Sequence, residues 1–248
     1  MLAIIGGSGL SQLANLEITR REVLRTPYGE PSSPATFGRL GGVEIVFLAR
    51  HGYGHTLAPH EINYRANLWA LRELGVDEVI AVNSVGGIGT GMGPGVLVVP
   101  DQIIDYTSGR KHTFFEGADQ PVVHVDFTLP FAGRVRSLLL EAGASAGLTL
   151  VDGGVYGATN GPRLESAAEI ARLQRDGATL VGMTGMPEAA LARELGLSYA
   201  MVALVANWAA GCGDSAERIV LEDIAGILDE GMVRVRALIS EHARLLPV

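Results

Sequence analysis

Two hydrophobic patterns alternate along the chain. Brief runs rich in Val, Ile or Leu, bounded by glycine or proline, predict strands. These runs are Leu2–Ile5, Val43–Ala49, Val79–Asn83, Val96–Val99, Leu148–Gly157, Thr179–Met183 and Ser198–Ala206. Because they are almost continuously apolar, we expect strands that are buried on both faces of a sheet.

Apolar residues at helical spacing occupy several of the stretches between these strands. The predicted helices are Asn63–Leu74, Phe131–Ala142, Glu165–Leu173, Pro187–Leu195 and a last segment containing Ile224–Ile239. The alternation indicates an α/β fold, and the lack of a repeat or linker indicates one domain over residues 1–248. Asp105–Pro130 has no clear period, so we expect a long loop with a functional or interface role.

Composition narrows the class of protein. The 248 residues are 48% hydrophobic, which excludes intrinsic disorder, and the formal net charge of −8 argues against nucleic acid or an anionic membrane as the main partner. The N-terminus lacks the basic segment of a signal peptide, and the longest apolar run, Tyr199–Gly211, is shorter than the roughly 20 residues of a membrane helix. We therefore expect a soluble cytoplasmic protein.

Two residue types exclude further classes. Cys212 is the only cysteine, so the chain has neither an intrachain disulfide nor a zinc site built from cysteines. Lys111 is the only lysine, and it does not follow glycine as the lysine of a phosphate-binding P-loop must.

A glycine-rich turn, Gly6-Gly7-Ser8-Gly9-Leu10, follows the first strand. Backbone N–H groups in such a turn can bind an anion. A dinucleotide-binding fingerprint would need glycine at Gln12, and a nucleophile elbow would need glycine at Leu10. The turn is therefore either an anion site or a plain structural turn.

Polar residues follow five other strands or turns. They are Arg50-His51, Asn83-Ser84, Gly161-Pro162-Arg163-Leu164-Glu165, Met183-Thr184-Gly185-Met186-Pro187-Glu188 and Asn207-Trp208-Ala209. Open α/β sheets place ligands at the carboxyl ends of their strands, and arginine can bind phosphate with two N–H groups. The set indicates a site for an oxyanion and a polar heterocycle.

A metal site is the alternative for His51, His55 and His60. Two histidines four residues apart bind one metal from a single helix face, and the glycines and proline of this segment disfavour a helix. We therefore expect no metal.

Taken in order, these motifs resemble the purine nucleoside phosphorylase and methylthioadenosine phosphorylase family, of the trimeric type. The resemblance covers nearly the whole chain, and Leu48–Gly86, with Arg50-His51-Gly52, His55-Thr56 and Asn63-Tyr64, is similar to the methylthioadenosine branch. It implies one α/β domain around a twisted mixed sheet flanked by helices, and usually a homotrimer. It also implies phosphorolysis of a purine nucleoside, with inorganic phosphate as co-substrate and no metal or organic cofactor.

The resemblance also assigns roles to residues. Phosphate is expected at Ser8, Arg50, His51, Asn83, Ser84 and Thr184. The nucleoside is expected to contact Met183 at the ribose, and Leu164, Ala209 and Asn207 elsewhere. Asn207 would face N7 and O6 of the base as the catalytic hydrogen-bond donor. His124 would approach the 5′ end of the nucleoside bound by a neighbouring subunit.

Two positions favour a 6-oxopurine base. Family members that act on 6-aminopurines carry Asp-Xaa-Asp where this chain has Asn207-Trp208-Ala209, and serine where it has Glu165. An amide can donate to O6 or N7, and a carboxylate can accept from the N1–H of hypoxanthine or guanine. The alternative for Glu165 is a helix first-turn charge without a role in binding.

Leu221 and Ile224 favour a 5′-methylthio group. The 6-oxopurine enzymes place a histidine before the last helix, where alignment puts Leu221 in this chain, with Ile224 one turn on. Apolar side chains suit a methylthio group and leave a hydroxyl unpaired. The alternative is that Leu221 only packs at the helix start, and a shift of one residue would change the assignment.

Both ends together predict phosphorolysis of S-methyl-5′-thioinosine to hypoxanthine and 5-methylthioribose 1-phosphate, a pentosyl transfer in purine salvage. The alternatives are an inosine/guanosine phosphorylase, a methylthioadenosine phosphorylase, a hydrolase of related fold and a nucleoside-binding sensor. A sensor has no need for the phosphate residues, and no acidic residue is identified that would activate water for a hydrolase.

Overall fold

Eleven strands form one mixed sheet in the computed structural model, which describes residues 1–118 and 121–246. They are β1 (Leu2–Gly6), β2 (Glu17–Glu22), β3 (Ala35–Leu40), β4 (Val43–Ala49), β5 (Glu78–Gly87), β6 (Leu97–Val99), β7 (Gln102–Asp105), β8 (Leu150–Asp152), β9 (Val155–Ala158), β10 (Leu180–Gly182) and β11 (Ser198–Trp208). Strands β1, β4, β5 and β11 run parallel, so their carboxyl ends lie at one edge. The central strand β5 pairs with β1, β11 and antiparallel β10.

Five α-helices of the described chain flank the sheet. They are α1 (Tyr64–Glu73), α2 (Gly133–Ser145), α3 (Ala167–Arg175), α4 (Gly185–Glu194) and α5 (Leu221–Arg244). α1 and α4 contribute Leu68 and Leu191 to one hydrophobic core, and α2 and α5 contribute Leu139 and Leu238 to another. Within the described residues, no helix combines the length and apolar composition needed to span a membrane.

Successive residues of the central strands point into different cores. In β1, Ala3 and Ile5 pack in the core with α1 and α4, whereas Leu2 and Ile4 pack in the core with α2 and α5. All four side chains are buried. This two-sided burial explains the continuous apolar runs and confirms the expected α/β class.

The sequence pattern missed three strands and one division. β2 has all six residues exposed, and β3 and β7 contain too few consecutive apolar residues to form a run. The predicted strand Leu148–Gly157 divides into β8 and β9 at two glycines with positive φ, Gly153 and Gly154. Of the predicted loop, residues 106–118 and 121–130 contain no helix or strand, and residues 119 and 120 lie outside the described part.

α3 begins later than predicted, and its start places Glu165 outside the helix. The Ser166 hydroxyl accepts from the Glu169 N–H, and the Glu169 carboxylate accepts from the Ser166 N–H, which is a capping box. Ser166 is therefore the N-cap, and Glu165 precedes it. Glu165 is not a residue of the first helical turn.

His242 is a fully buried imidazole near the end of α5. Neither ring nitrogen has a hydrogen-bond partner among the described residues. Burial, together with the positive charge of Arg134, lowers the pKa of His242 to about 4. The unfolded chain therefore binds this proton at higher pH than the folded chain, and acid destabilises the fold.

Between pH 7 and pH 5, the wild-type protein should lose about 2 kcal/mol more free energy of unfolding than His242→Leu. This is the linkage expected for an imidazole with a pKa of about 4 when folded and 6.5 when unfolded. Urea denaturation at both pH values measures the difference, and His60→Gln, at an exposed histidine, controls for the loss of one imidazole. Equal pH dependence in wild type and His242→Leu would contradict the prediction.

Candidate functional site

A cavity of about 460 Å³ opens where the parallel strands end. It brings together twelve of the fourteen residues that the sequence singles out. They are Ser8, Arg50, His51, Asn83, Ser84, Leu164, Glu165, Met183, Thr184, Asn207, Ala209 and Ile224. The remaining two, His124 and Leu221, do not line it.

The turn after β1 is built to hold Ser8 at the cavity. The Leu10 N–H donates to the Gly7 carbonyl at 3.0 Å, which closes the turn. A Cβ at Gly7 would lie 2.5 Å from the Val82 carbonyl oxygen, so this position requires glycine. The Ser84 hydroxyl donates to the Ser8 carbonyl at 3.0 Å and ties the turn to β5.

Arg50 is fully buried and forms a two-pronged ion pair with Glu188. Its Nε and Nη2 donate to the two carboxylate oxygens at 2.7 Å each, and Tyr199 donates its hydroxyl to the same carboxylate at 2.8 Å. Arg50 Nη1 also donates to the Val82 carbonyl at 2.9 Å. The bidentate edge that the sequence suggested for phosphate is therefore occupied by Glu188.

The ion pair shifts the ionisation of its members. Burial alone would lower the pKa of the Arg50 guanidinium, but the charge and hydrogen bonds of Glu188 raise it above its ordinary value. Burial and the same carboxylate hold the pKa of Tyr199 well above its usual range. Arg50 is thus permanently charged and Tyr199 is a neutral donor.

Thr184 immediately precedes α4 and lines the same cavity as the turn after β1. Its hydroxyl accepts from the Asn83 amide at 2.8 Å, which leaves the hydroxyl hydrogen free to donate to a ligand. The N–H groups of Thr184 and Gly185 approach the Tyr156 hydroxyl at 3.3 Å. The backbone of α4 is non-helical at Met186, so the regular helix begins only after this kink.

Two histidines form the wall beside Ser8. His51 Nδ1 lies 2.8 Å from the Leu57 carbonyl and must donate to it, so the lone pair of the neutral ring is on Nε2. Burial, and then the charge of Arg50, lowers the pKa of His51 to about 4. His55, missed by the sequence analysis as a site residue, packs its ring 4.3 Å from that of His51 and contacts the Ser8 hydroxyl at 3.4 Å.

His55 carries a backbone signal that the sequence does not show. It is the one residue other than glycine in the described chain with a positive φ, at 57°. Such strain often marks functional sites. Across the described residues, no group of three or more His, Cys, Asp or Glu side chains is arranged to hold a metal ion.

Glu165 and Asn207 also line the cavity. Glu165 accepts from the Thr159 hydroxyl at 2.6 Å. The Asn207 amide nitrogen donates to the Trp208 carbonyl at 2.6 Å. The donor role expected for Asn207 therefore requires this amide to turn toward the cavity.

The apolar wall differs from the sequence prediction at one residue. Ile224 lines the cavity together with Ile219 and Leu228, which the sequence analysis missed. Leu221, the first residue of α5, is 63% exposed and lies outside the cavity. Ile219, two residues earlier, lines the cavity instead. His124 is exposed in the long loop, outside the cavity of its own chain.

Known proteins resemble this chain over almost its whole length. The family model described as the phosphorylase superfamily matches residues 1–243. A probable S-methyl-5′-thioinosine phosphorylase from Xanthomonas campestris is 54% identical over 98% of this chain and 97% of its own length. A 6-oxopurine nucleoside phosphorylase from Pyrococcus furiosus is 44% identical over 99% of this chain and 93% of its own.

A solved structure also resembles this chain over almost its whole length. Methylthioadenosine phosphorylase from Schistosoma mansoni in complex with adenine superposes with a TM-score of 0.94 at 32% sequence identity. The match covers 98% of this chain and 91% of that one.

Glu188→Ala should lower the free energy of unfolding by about 3–5 kcal/mol, because it leaves Arg50 as an unpaired buried charge. Arg50→Met/Glu188→Leu should recover at least half of that loss, since an apolar pair of similar volume carries no desolvation penalty. Chemical denaturation of the three proteins measures both effects.

Tyr199→Phe is the matched control, because it removes only one hydroxyl that donates to Glu188. It should lose about 1.5–3 kcal/mol, the usual contribution of a hydrogen bond to a charged group. A double variant as unstable as Glu188→Ala would contradict the attribution of the loss to an unpaired buried charge.

Proposed function

The chain belongs to the phosphorylase superfamily, and from that premise we propose that it converts S-methyl-5′-thioinosine and phosphate to hypoxanthine and 5-methylthioribose 1-phosphate. The observation that carries this proposal is one cavity whose lining combines three chemically distinct groups. These groups are hydroxyl donors, the Glu165 carboxylate and aliphatic side chains. The names of the relatives from Xanthomonas campestris and Pyrococcus furiosus support the substrate class.

Phosphate binds in this proposal between the turn after β1 and the start of α4. The hydroxyls of Ser8 and Thr184 donate to its oxygens, with Asn83 and Ser84 holding them in place. Arg50 contributes one N–H, because its other donors are committed to Glu188 and to β5. The Nε2 lone pair of neutral His51 can accept a hydrogen bond from the O–H that phosphate carries at neutral pH.

The reaction forms a bond between a phosphate oxygen and C1′ as the C1′–N9 bond breaks. The bonding electrons leave with the purine, so the sugar becomes transiently cationic and the base anionic, and the departing base takes one proton from water to become hypoxanthine. A fixed phosphate stabilises the sugar, and a turned Asn207 amide stabilises the base at N7 or O6. Holding both reactants in line lowers the entropic part of the barrier.

The base is a 6-oxopurine because of the acceptor at its N1 edge. Glu165 accepts a hydrogen from hypoxanthine N1–H, whereas adenine would set an N1 lone pair against the carboxylate. Ala209 offers no second carboxylate to a 6-amino group. Leu164 and Met183, which also line the cavity, pack against the nucleoside.

The 5′-substituent meets the aliphatic wall of Ile219, Ile224 and Leu228. These side chains contain no hydrogen-bonding atoms. A methylthio group gains about 0.8 kcal/mol for each buried carbon-sized group, whereas a buried hydroxyl without a partner costs about 1–3 kcal/mol. The wall therefore favours the methylthio nucleoside over inosine.

We also propose a cytoplasmic homotrimer that needs no metal or organic cofactor. The exposed loop carrying His124 supports a role in a neighbouring subunit, because His124 does not reach the cavity of its own chain. The single cysteine, Cys212, is free, as is usual in a reducing compartment.

Purified protein should release hypoxanthine from methylthioinosine only when inorganic phosphate is supplied. It should cleave inosine roughly 30- to 1,000-fold less efficiently, from the combined apolar and hydroxyl contributions at the 5′ end. It should also prefer methylthioinosine to methylthioadenosine. A spectrophotometric panel with and without phosphate measures these rates, and undiminished hydrolysis without phosphate would refute the phosphorylase proposal.

Ile224→Ser should reduce kcat/KM for methylthioinosine by about tenfold while changing inosine little, because it removes apolar surface only from the 5′ wall. Leu221→Ser is the matched control three residues earlier, at an exposed side chain. The proposed wall fails if Leu221→Ser changes this selectivity as much as Ile224→Ser does.

Light scattering should give a mass about three times the 26.0 kDa of the chain. His124→Ala should lower kcat/KM for methylthioinosine without changing this mass, because the side chain would serve a neighbour's site. A fully active monomer would rule out the shared site.

A further inference from the structure

Thr159 lies directly behind the carboxylate that we assign to base recognition. Its hydroxyl is 2.6 Å from Glu165 Oε1, and a carboxylate oxygen can only accept, so Thr159 donates. Glu165 lines both the main cavity and a second cavity of about 250 Å³, whereas Thr159 lines only the second. The hydroxyl therefore holds the carboxylate from the side away from the nucleoside.

The backbone of Thr159 is itself fixed. Its N–H donates to the Gly182 carbonyl at 2.8 Å, next to the strand end that carries Met183 and Thr184. Its carbonyl accepts from the nearly buried guanidinium of Arg110 at 3.4 Å. The hydroxyl on this constrained backbone lies 2.6 Å from Glu165 and 3.5 Å from its other acceptor, the Gly182 carbonyl, so the Glu165 contact is the shorter of the two.

Arg110 connects this strand end to the rest of the site. The guanidinium donates to the carbonyl of Asn160 at 2.9 Å and to that of Met183 at 2.8 Å. It therefore links the chain segments that follow the paired strands β9 and β10, at Asn160 and Met183. The loop segment that contains Arg110 thus supports the base end of the cavity.

Without the hydrogen bond from the Thr159 hydroxyl, the Glu165 side chain has an alternative position in the second cavity. The second cavity is also lined by Arg163, which is paired with Glu169, and by Arg172, which is 3.9 Å from Asp176 and whose positive charge attracts a further carboxylate. Glu165 precedes α3 and belongs to no helix or strand, so its own backbone restricts the side chain little. A free carboxylate would spend time turned away from the nucleoside.

We propose that Thr159 is a positioning residue for purine recognition, whose hydroxyl holds Glu165 so that its carboxylate meets the N1–H of a 6-oxopurine. This role rests on the proposed function, because it presupposes that the base binds at Glu165. It makes selectivity between 6-oxo and 6-amino bases depend on a hydroxyl that touches neither base.

Thr159→Val removes the hydroxyl at nearly constant volume, and Thr159→Ser retains it. Thr159→Val should lower kcat/KM for methylthioinosine about 10- to 100-fold, mainly through KM, and should weaken hypoxanthine binding measured by calorimetry. Thr159→Ser should stay within about threefold of wild type, and the KM for phosphate should change less than twofold in either variant.

Glu165→Ala removes the acceptor and supplies the background that separates positioning from general damage. If Thr159 acts through Glu165, Thr159→Val should have little further effect once Glu165 is Ala. An undiminished loss in that background, or a Thr159→Ser variant as impaired as Thr159→Val, would overturn the proposal.

Different results would refute the proposed function and the positioning role of Thr159. Wild-type protein that cleaves no 6-oxopurine nucleoside in phosphate would refute the proposed function. Calorimetry with hypoxanthine would still test Thr159, since equal hypoxanthine affinity in wild type and Thr159→Val refutes the positioning role whatever the activity. Matching thermal unfolding midpoints in Thr159→Val and Thr159→Ser would show that the comparison is not one of stability.

Discussion

Arg50 and Glu188 bring a full positive and a full negative charge into a region without solvent, and the elements around the cavity meet at this pair. Arg50 follows β4, Glu188 lies in α4, and the Tyr199 hydroxyl reaches the carboxylate from β11. Removing two charges from water is costly unless their hydrogen bonds are complete. The pair therefore fixes α4 against the sheet, and with it the position of Thr184.

Because of this constraint, the charge of Arg50 serves mainly to hold the fold together and contributes little to ligand binding. Because the charges of Arg50 and Glu188 largely cancel, the phosphate binding that we propose depends mainly on neutral donors, the Ser8 and Thr184 hydroxyls. Such donors need no desolvation of a counter-charge when the ligand binds. Their value depends on being held in place, which the hydrogen bonds of Asn83 and Ser84 achieve.

Selectivity in the proposed reaction comes from Glu165 and from the aliphatic side chains of the cavity lining. A single carboxylate at Glu165 distinguishes bases by whether N1 carries a hydrogen, and an aliphatic wall distinguishes sugars by whether the 5′ group needs a partner. Both devices reject the wrong substrate by leaving a polar group unsatisfied. Neither requires a conformational change to discriminate.

The sequence predicts those parts of the structure that leave a local signal. The buried strands β1, β5 and β11 appear as apolar runs, and the strand-end motifs locate most of the cavity lining. Exposed β2 leaves no apolar run, so it was missed. The inward position of Ile219 instead of Leu221 depends on where α5 begins, which periodicity defines only to within a few residues.

Long-range pairing leaves no such signal. Arg50 and Glu188 are 138 positions apart, and nothing near Arg50 shows that its bidentate edge is taken by a carboxylate instead of a ligand. The contact between Thr159 and Glu165 spans only six residues, yet it arises from a bend between β9 and α3 that the pattern does not define. Only the folded chain distinguishes the side chains that line the cavity from the side chains that hold those residues in place.

A crystal structure of the protein with phosphate and hypoxanthine would test most directly where the cavity binds each reactant. We predict phosphate within hydrogen-bond distance of the Ser8 and Thr184 hydroxyls, and hypoxanthine with its N1 facing Glu165, while the Arg50–Glu188 pair stays intact. Phosphate bound elsewhere, or hypoxanthine with N1 turned away from Glu165, would contradict it.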